Sequence, residues 1–262
     1  MTIMFENYVE NGMFIREFTA QEAESNILYI HGLGESGLCF LEFINKNLKS
    51  MSHFVVDLPG YGKSPWLKQP LTMAEHADHI AKWLQSRKIK NPVVCGHSMG
   101  GVVGLILCEK YPALTTCFVN VEGNISIEDC GFSKKMSAYN LEDFIEHGFE
   151  TIVSNVYKNG VKDKPLQIYY PSLRFCDLRA LHRNAVELVE DSRTDKLAER
   201  QAALKIPTIY ILGSPEGTGE YSQQLLTAAG VEWRPVEDAG HWVFIDQPEQ
   251  FAHEMSRFLN NY

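Results

Sequence analysis

Short apolar runs alternate with segments of helical periodicity along most of this chain, and this alternation limits the possible folds more than any other sequence feature. The runs span residues 27–30, 54–56, 93–95, 118–121 and 208–212. Continuous apolar runs are typical of buried parallel strands, and each parallel connection needs a crossover, usually a helix. The sequence therefore predicts an α/β fold with a mostly parallel central sheet and flanking helices.

Candidate helices fill the intervals between these runs. They are predicted at residues 38–48, 73–87, 100–110, 221–229 and 248–259. Thr72 and Glu75 have the spacing of a capping box and predict the start of the second helix. Nearer the N-terminus, Asn11-Gly12 separates two β-rich segments, residues 4–9 and 13–18, and predicts a tight hairpin.

Residues 123–205 interrupt the alternation. They contain no convincing βα unit, but helix-like segments at 140–157 and 178–204 with Tyr169-Tyr170-Pro171 between them. Ligands bind at the carboxyl edge of open α/β sheets, and a helical insertion between two core strands can cover that edge. We therefore predict one core formed by residues 1–122 and 206–262, with a helical cap at 123–205.

The segment Gly96-His97-Ser98-Met99-Gly100-Gly101 directly follows a predicted strand and leads into a predicted helix. A serine between glycines at such a junction is typical of a nucleophile elbow, a strained turn that needs small flanking residues. The turn presents the serine oxygen above the sheet. We therefore predict that Ser98 is a nucleophile and that His97 packs beneath the elbow.

A glycine-rich turn, His31-Gly32-Leu33-Gly34, follows the first apolar run. Such a turn can aim a main-chain N–H at a ligand, and acyl transfer needs two donors on the oxygen that becomes negative. The amides of Leu33 and Met99 are the candidates for this oxyanion hole. The alternative is that the turn only connects a strand to a helix. We expect His31 to brace the turn.

His241 lies in Ala239-Gly240-His241-Trp242, after a predicted short strand at 231–236 and before the last helix. A histidine at the end of a strand, beside a glycine, can reach over the sheet edge and take the proton of the serine. Six further histidines are expected to be solvated or hydrogen-bonded surface residues: His53, His76, His79, His147, His182 and His253. His241 is therefore the candidate base.

These motifs together resemble the α/β-hydrolase superfamily, across essentially the whole chain. The segment Asp57-Leu58-Pro59-Gly60-Tyr61-Gly62-Lys63-Ser64 is similar to a turn of its lidded members. The resemblance implies the chain order nucleophile, acid, histidine, which Ser98 and His241 obey. It also implies that Leu33 and Met99 occupy the oxyanion positions.

Two glutamates are candidates for the acid that orients the imidazole. Glu216 follows the run at 208–212, where most members of the superfamily carry an aspartate. Glu122 follows the run at 118–121, a placement similar to haloalkane dehalogenases and their luciferase relatives. A carboxylate that ends a buried strand is costly unless it is paired, whereas a loop near Pro215 suits a solvated glutamate. Glu122 is therefore favoured, with Glu216 and then Asp238 as alternatives.

The nucleophile position separates this chain from the dehalogenases that it resembles in acid placement. Those enzymes use an aspartate nucleophile followed by a halide-binding tryptophan, where this chain has Ser98 and Met99. Water activated by His241 can clear a serine ester, so the sequence predicts a cofactor-independent serine hydrolase of ester-like bonds. The alternatives are acyl transfer or carbon–carbon hydrolysis by the same triad, and a slow-turnover ligand receptor.

Aromatic residues predict a small or medium, partly apolar substrate pocket beneath the cap. The candidate lining residues are Trp66, Phe132, Tyr169, Tyr170, Phe175 and Trp242. Each of them also has the simpler interpretation of a packing residue.

Composition and charge limit the classes of molecule that the chain is expected to bind. With 24 Lys+Arg against 33 Asp+Glu the formal charge is −9, and no basic run is present, which argues against nucleic acid. The apolar stretch at 102–108 is far shorter than the roughly 20 residues that span a bilayer, and residues 1–8 do not resemble a secretory signal. Six scattered cysteines predict neither a metal site nor disulfides. We expect a cytoplasmic monomer or homodimer that uses no cofactor.

Overall fold

A computed structural model of the chain describes residues 3–20, 23, 25–46 and 51–262. In this part of the chain one sheet of eight strands forms the centre. The strands are β1 (Ile3–Glu10), β2 (Met13–Ala20), β3 (Asn26–Ile30), β4 (Ser52–Asp57), β5 (Val93–His97), β6 (Phe118–Val121), β7 (Thr208–Glu216) and β8 (Trp233–Gly240). Their spatial order is β1-β2-β4-β3-β5-β6-β7-β8. β1 and β2 pair antiparallel, β2 pairs antiparallel with β4, and β3 to β8 run parallel.

Helices connect and cover the parallel strands. They are α1 (Leu41–Lys46), α2 (Met73–Arg87), α3 (Met99–Lys110), α4 (Gly131–Ser137), α5 (Leu141–Asp143), α6 (Phe149–Gly160), α7 (Lys164–Arg174), α8 (Leu178–Ser192), α9 (Leu197–Ala202), α10 (Glu220–Ala229), α11 (Val243–Asp246) and α12 (Pro248–Leu259). A π-helical turn, Phe144–Gly148, joins α5 to α6. Helices α4 to α9 lie between β6 and β7 in the chain, and we call residues 123–205 the inserted helical segment.

The predicted α/β architecture is confirmed, and several local predictions with it. α2 begins with the expected capping box, in which the Glu75 N–H donates to Thr72 Oγ1 at 3.1 Å. Asn11 and Gly12 adopt φ values of 50° and 74° in the hairpin turn. The helix predicted at 38–48 is a 3₁₀ turn, Gly37–Phe40, followed by α1. Its predicted last residues, 47 and 48, lie outside the described residues.

Several predictions differ from the structure. His53 and His76, expected at the surface, are buried, where they bond to Tyr29 and Asn184. The helix predicted at 140–157 is divided into α5, the π-helical turn and α6, and the strand predicted at 231–236 is β8 (Trp233–Gly240). Glu216 is the last residue of β7 instead of a loop residue, because pairing with β8 continues past a register shift at Ser214/Pro215 to the pair Glu216–Gly240. The helix predicted at 178–204 is divided into α8 and α9, and Asp195 between them has a φ of 54°. Helices α4 and α7 were not predicted separately.

The core follows the continuous apolar pattern of the parallel strands. All residues of β4, β5 and β6 are buried, as expected for strands covered by helices on both faces. The six cysteines are buried free thiols. In the described ranges, no helix has the length and apolar character required to cross a bilayer.

A buried ion pair joins β2 to β4. The Arg16 guanidinium donates to both carboxylate oxygens of Asp57, at 2.7 and 3.1 Å, and both side chains are almost fully buried. The same carboxylate accepts the main-chain N–H of Gly37 at 2.7 Å and of Lys63 at 2.8 Å. Asp57 therefore holds two loops as well as the strand pair.

Asp57→Asn keeps the shape of this side chain but leaves Arg16 buried without a counter-ion. Breaking a buried pair costs about 3–5 kcal/mol, so we expect the free energy of unfolding to fall by about 3 kcal/mol or more in urea denaturation. Glu109→Gln breaks the more exposed pair with Arg200 and should cost less than about 1 kcal/mol. Equal losses in the two variants would contradict the importance assigned to the buried pair.

Candidate active site

Ser98 lies at a strained turn between β5 and α3. Its φ and ψ are 53° and −123°, and it is partly exposed. A Cβ on Gly96 would lie 2.2 Å from the carbonyl oxygen of Gly100, and a Cβ on Gly100 would lie 2.2 Å from that of Ile30. Larger residues at these positions would force the turn open. The two glycines therefore explain how the chain presents the Ser98 hydroxyl above the sheet.

A cavity of about 440 Å³ lies between the carboxyl ends of the strands and the inserted helical segment. Ser98, Glu122 and His241 all line it, so the structure brings together three groups that are far apart in the chain. Phe132 and Tyr169 line its other side, from α4 and α7. The cavity therefore has the location at which open α/β sheets bind ligands.

Glu122 is bound directly to the imidazole. The Nδ1–H of His241 donates to Glu122 Oε2 at 3.2 Å, and the glutamate side chain is only 3% exposed. Its other oxygen accepts the N–H groups of Gly213 at 2.7 Å and Thr218 at 3.1 Å. A Cβ on Gly217 would lie 2.4 Å from that oxygen. The end of β7 and the loop after it therefore closely surround a buried carboxylate.

This contact sets the charge properties of His241. Burial alone would lower the pKa of His241, but its hydrogen bond to Glu122 and the negative charge of that carboxylate raise the pKa above 6.5. The second ring nitrogen, Nε2, bonds to no residue in the described part of the chain. An imidazole held at Nδ1 with Nε2 available can take a proton from a hydroxyl and stabilise the resulting charge.

The structure does not bring the two alternative acids to the imidazole. Glu216 is exposed at the end of β7 and lines the cavity, but it makes no hydrogen bond to His241. Asp238 is exposed in β8 and lines a neighbouring depression. Sheet order explains the difference, because the carboxyl end of β6 lies closer to the centre of the sheet, beside the elbow strand β5.

The two candidate oxyanion donors lie near Ser98, since Met99 follows it in the chain and Leu33 follows Gly32, on which a Cβ would lie 3.0 Å from Ser98 Cβ. Leu33 lines the cavity, whereas Met99 is fully buried at the start of α3. Neither main-chain N–H donates to an acceptor within the described ranges. His31 braces the turn as expected, since its Nε2 accepts the N–H of Leu58 at 3.0 Å and its Nδ1 donates to the carbonyl of Gly32 at 2.9 Å.

Three of the predicted aromatic residues lie at the cavity. Phe132, Tyr169 and Trp242 line it, with ring centroids 5.4 Å apart for the first pair and 5.6 Å for the second. Trp66 and Phe175 do not line it, since their side chains are 60% and 68% exposed. Tyr170 packs on Tyr157 in a groove of the inserted helical segment. The sequence shows that aromatic residues are present but not which way each helix faces, so it could not distinguish cavity-lining residues from exposed ones.

Glu35 is a residue of the site that no sequence motif indicated. This residue lies in the turn after β3, is 2% exposed and lines the cavity. Its carboxylate contacts His97, Gly32 and Trp242. The only signal was an acidic residue directly after a glycine-rich turn, and such residues are more often solvated.

Comparison with known proteins gives the same architecture. Residues 27–254 match the alpha/beta hydrolase family. Pimeloyl-(acyl-carrier protein) methyl ester esterase from Neisseria meningitidis serogroup B is 24% identical over 247 residues, covering 88% of this chain and 91% of the relative. The enol-lactonase from Burkholderia xenovorans LB400 has a TM-score of 0.79 at 17% identity, covering 97% of this chain and all of that one. A thermophilic esterase from Thermogutta terrifontis has a TM-score of 0.75 at 17% identity, covering 100% and 99%.

The contact between Glu122 and His241 has a measurable consequence. We expect NMR titration to give His241 a pKa above 6.5, because the imidazolium is stabilised by the carboxylate. In Glu122→Gln that stabilisation is lost, so the pKa should fall below the wild-type value. Glu216→Gln is the matched comparison and should shift the pKa much less. A larger shift in Glu216→Gln would assign the partnership to Glu216.

Proposed function

The chain belongs to the alpha/beta hydrolase family and is a hydrolase, and from this premise we propose that it is a cofactor-independent serine hydrolase of carboxylic-ester-like bonds. The observation that carries the proposal is the hydrogen bond between Glu122 and His241 in the cavity that Ser98 lines. The names of its relatives, which include esterases and a lactonase, support ester-like bonds as the substrate class.

In the proposed mechanism, Ser98 Oγ attacks the carbonyl carbon while its proton passes to Nε2 of His241. Glu122 keeps Nδ1 protonated and stabilises the imidazolium. The N–H groups of Leu33 and Met99 bind the negative oxygen of the tetrahedral intermediate. The leaving alcohol takes the proton from His241, and a water molecule then attacks the acyl-enzyme with His241 again as base, which restores Ser98.

We propose that the inserted helical segment, residues 123–205, acts as the cap of this site, over a core of residues 1–122 and 206–262. In support, Tyr169 Oη donates to the carbonyl of Leu33 at 3.1 Å, and the hydroxyls of Ser36 and Ser172 bond at 2.9 Å. A cavity of about 440 Å³ suits a small or medium substrate.

Free thiols at all six cysteines support a reducing compartment such as the cytoplasm.

The charge of the cavity favours particular substrates. Its charged lining residues are Glu35, Glu122, Glu128, Asp129 and Glu216, with no lysine or arginine among the described residues that line it. Glu128 and Glu216 are exposed and unpaired with any base at the cavity. Lys162 and Lys164 lie instead in a neighbouring depression on the other side of His241. We therefore propose that the group bound in the cavity is neutral or cationic.

Ser98→Ala removes the proposed nucleophile and leaves the fold intact. We expect kcat for p-nitrophenyl butyrate to fall by about 10⁴-fold or more, with unchanged circular dichroism and thermal unfolding. A fluorophosphonate probe should label the wild-type chain and not this variant. Ser256→Ala, on α12, is the control and should keep both properties. Undiminished turnover by Ser98→Ala would refute the nucleophile, and product analysis distinguishes hydrolysis from acyl transfer.

The acidic cavity should discriminate between neutral and anionic acyl groups. We expect kcat/KM for p-nitrophenyl butyrate to exceed that for the p-nitrophenyl monoester of glutaric acid by about 10-fold or more, because the extra carboxylate meets Glu128 and Glu216. The double variant Glu128→Gln/Glu216→Gln should reduce this ratio, and so should high salt. Preference for the anionic ester would show that the acyl group avoids this cavity.

A further inference from the structure

We propose that Glu35 and His97 form a positioning pair that fixes the relative positions of three segments of the proposed active site. The inference rests on the proposed function and adds two residues to it. Neither residue forms a bond with substrate or transfers a proton in the proposed steps. They act on the turn that carries Leu33, on the elbow that carries Ser98, and on the loop that carries His241.

Glu35 contacts the chain neighbour of each of these three residues. Its Oε2 accepts the N–H of Gly32 at 2.6 Å, its Oε1 accepts the indole N–H of Trp242, and its Oε2 accepts Nδ1–H of His97 at 3.0 Å. Gly32 precedes Leu33, His97 precedes Ser98, and Trp242 follows His241. One buried carboxylate therefore links all three segments.

His97 extends the link to the main chain of the base. Its Nε2–H donates to the carbonyl oxygen of His241 at 2.8 Å, and the two rings are 4.7 Å apart. The two ring nitrogens of His97 therefore face two acceptors, the Glu35 carboxylate at Nδ1 and the His241 carbonyl at Nε2. The main chain of His241 is thus linked to Glu35 through the ring of His97.

The Glu35 carboxylate stays ionised while His241 titrates. Burial by itself would raise the pKa of Glu35, but the charge of His97 and the hydrogen bonds from His97, Gly32 and Trp242 lower it to about 2. The carboxylate is therefore ionised throughout the range in which His241 gains and loses a proton. This constancy suits a scaffold and not a proton carrier.

Packing leaves little freedom around the pair. The side chains of His97 and Glu35 are 0% and 3% exposed. A Cβ on Gly32 would lie 3.0 Å from both Glu35 Oε2 and Ser98 Cβ. Buried pairs are weak sources of stability but can specify one geometry. Since a displacement of about 1 Å can cost about 100-fold in rate, a geometric role is sufficient to affect catalysis.

The first test is Glu35→Gln, assayed with p-nitrophenyl butyrate well below the unfolding temperature. Active sites are counted with the fluorophosphonate probe, so that unfolded protein does not contribute. We expect kcat per site to fall about 10- to 100-fold, with KM within about 3-fold of wild type. The rate of labelling by the probe should fall in parallel. Glu254→Gln, which breaks an ion pair with Arg234 far from the cavity, should leave kcat unchanged.

The second test divides the two contacts of His97. In His97→Asn the amide can replace Nδ1 and keep the contact to Glu35, whereas in His97→Gln it can replace Nε2 and keep the contact to the His241 carbonyl. If both contacts of His97, to Glu35 and to the His241 carbonyl, are needed, each variant should have a lower kcat than wild type. The double variant Glu35→Gln/His97→Gln should then be no worse than the poorer single variant.

Several outcomes would overturn the pair. Wild-type kcat in Glu35→Gln with only a lowered unfolding temperature would make it a purely structural contact, and additive losses in the double variant would make the residues independent. If Glu35→Gln does not fold, three other variants replace it in the test: the two His97 variants and Trp242→Phe, which removes one donor to Glu35. Full kcat in all three would refute the positioning role. Failure here is distinct from failure of the proposed function, which is decided by Ser98→Ala.

Discussion

The hydrogen bond from His241 to the buried carboxylate of Glu122 is the interaction on which the candidate site depends. A carboxylate at the end of a buried strand is tolerated only when donors replace its lost water. Gly213 and Thr218 provide two of these donors through their main chain, and the absence of a side chain at Gly217 lets the loop approach closely. The ends of β6, β7 and β8 and the residues that follow them are therefore arranged around one negative charge.

A second buried carboxylate, Glu35, is linked to the main chain of the same histidine. Glu122 binds the ring of His241, whereas Glu35 reaches its main-chain carbonyl through His97 and its neighbour through the indole of Trp242. The inserted helical segment adds a contact to the turn after β3, through the hydroxyl of Tyr169. The cavity is thus surrounded by elements whose relative positions are set by buried polar bonds, which are costly to distort.

Patterns that depend on local chemistry were predictable from the sequence. The strand–elbow–helix unit around Ser98 follows from glycines at positions where a Cβ would meet a carbonyl oxygen, and the capping box at Thr72 marks the start of α2. The aromatic lining was less predictable, because Trp66 and Phe175 are aromatic like Phe132 but have exposed side chains. Glu216 was expected in a loop, and pairing with β8 extends the strand to include it.

The sequence by itself determined the α/β class and the order of strands and helices along the chain, and it named Ser98, His241 and three candidate acids. These follow from periodicity and from the backbone geometry that particular residues allow, which are properties of neighbours in the chain. Only the tertiary structure decided that Glu122 contacts His241 and that Glu35 lies beside His97. Those contacts join residues 119 and 62 positions apart, and their energies depend on burial and on donors from other strands that no local pattern contains.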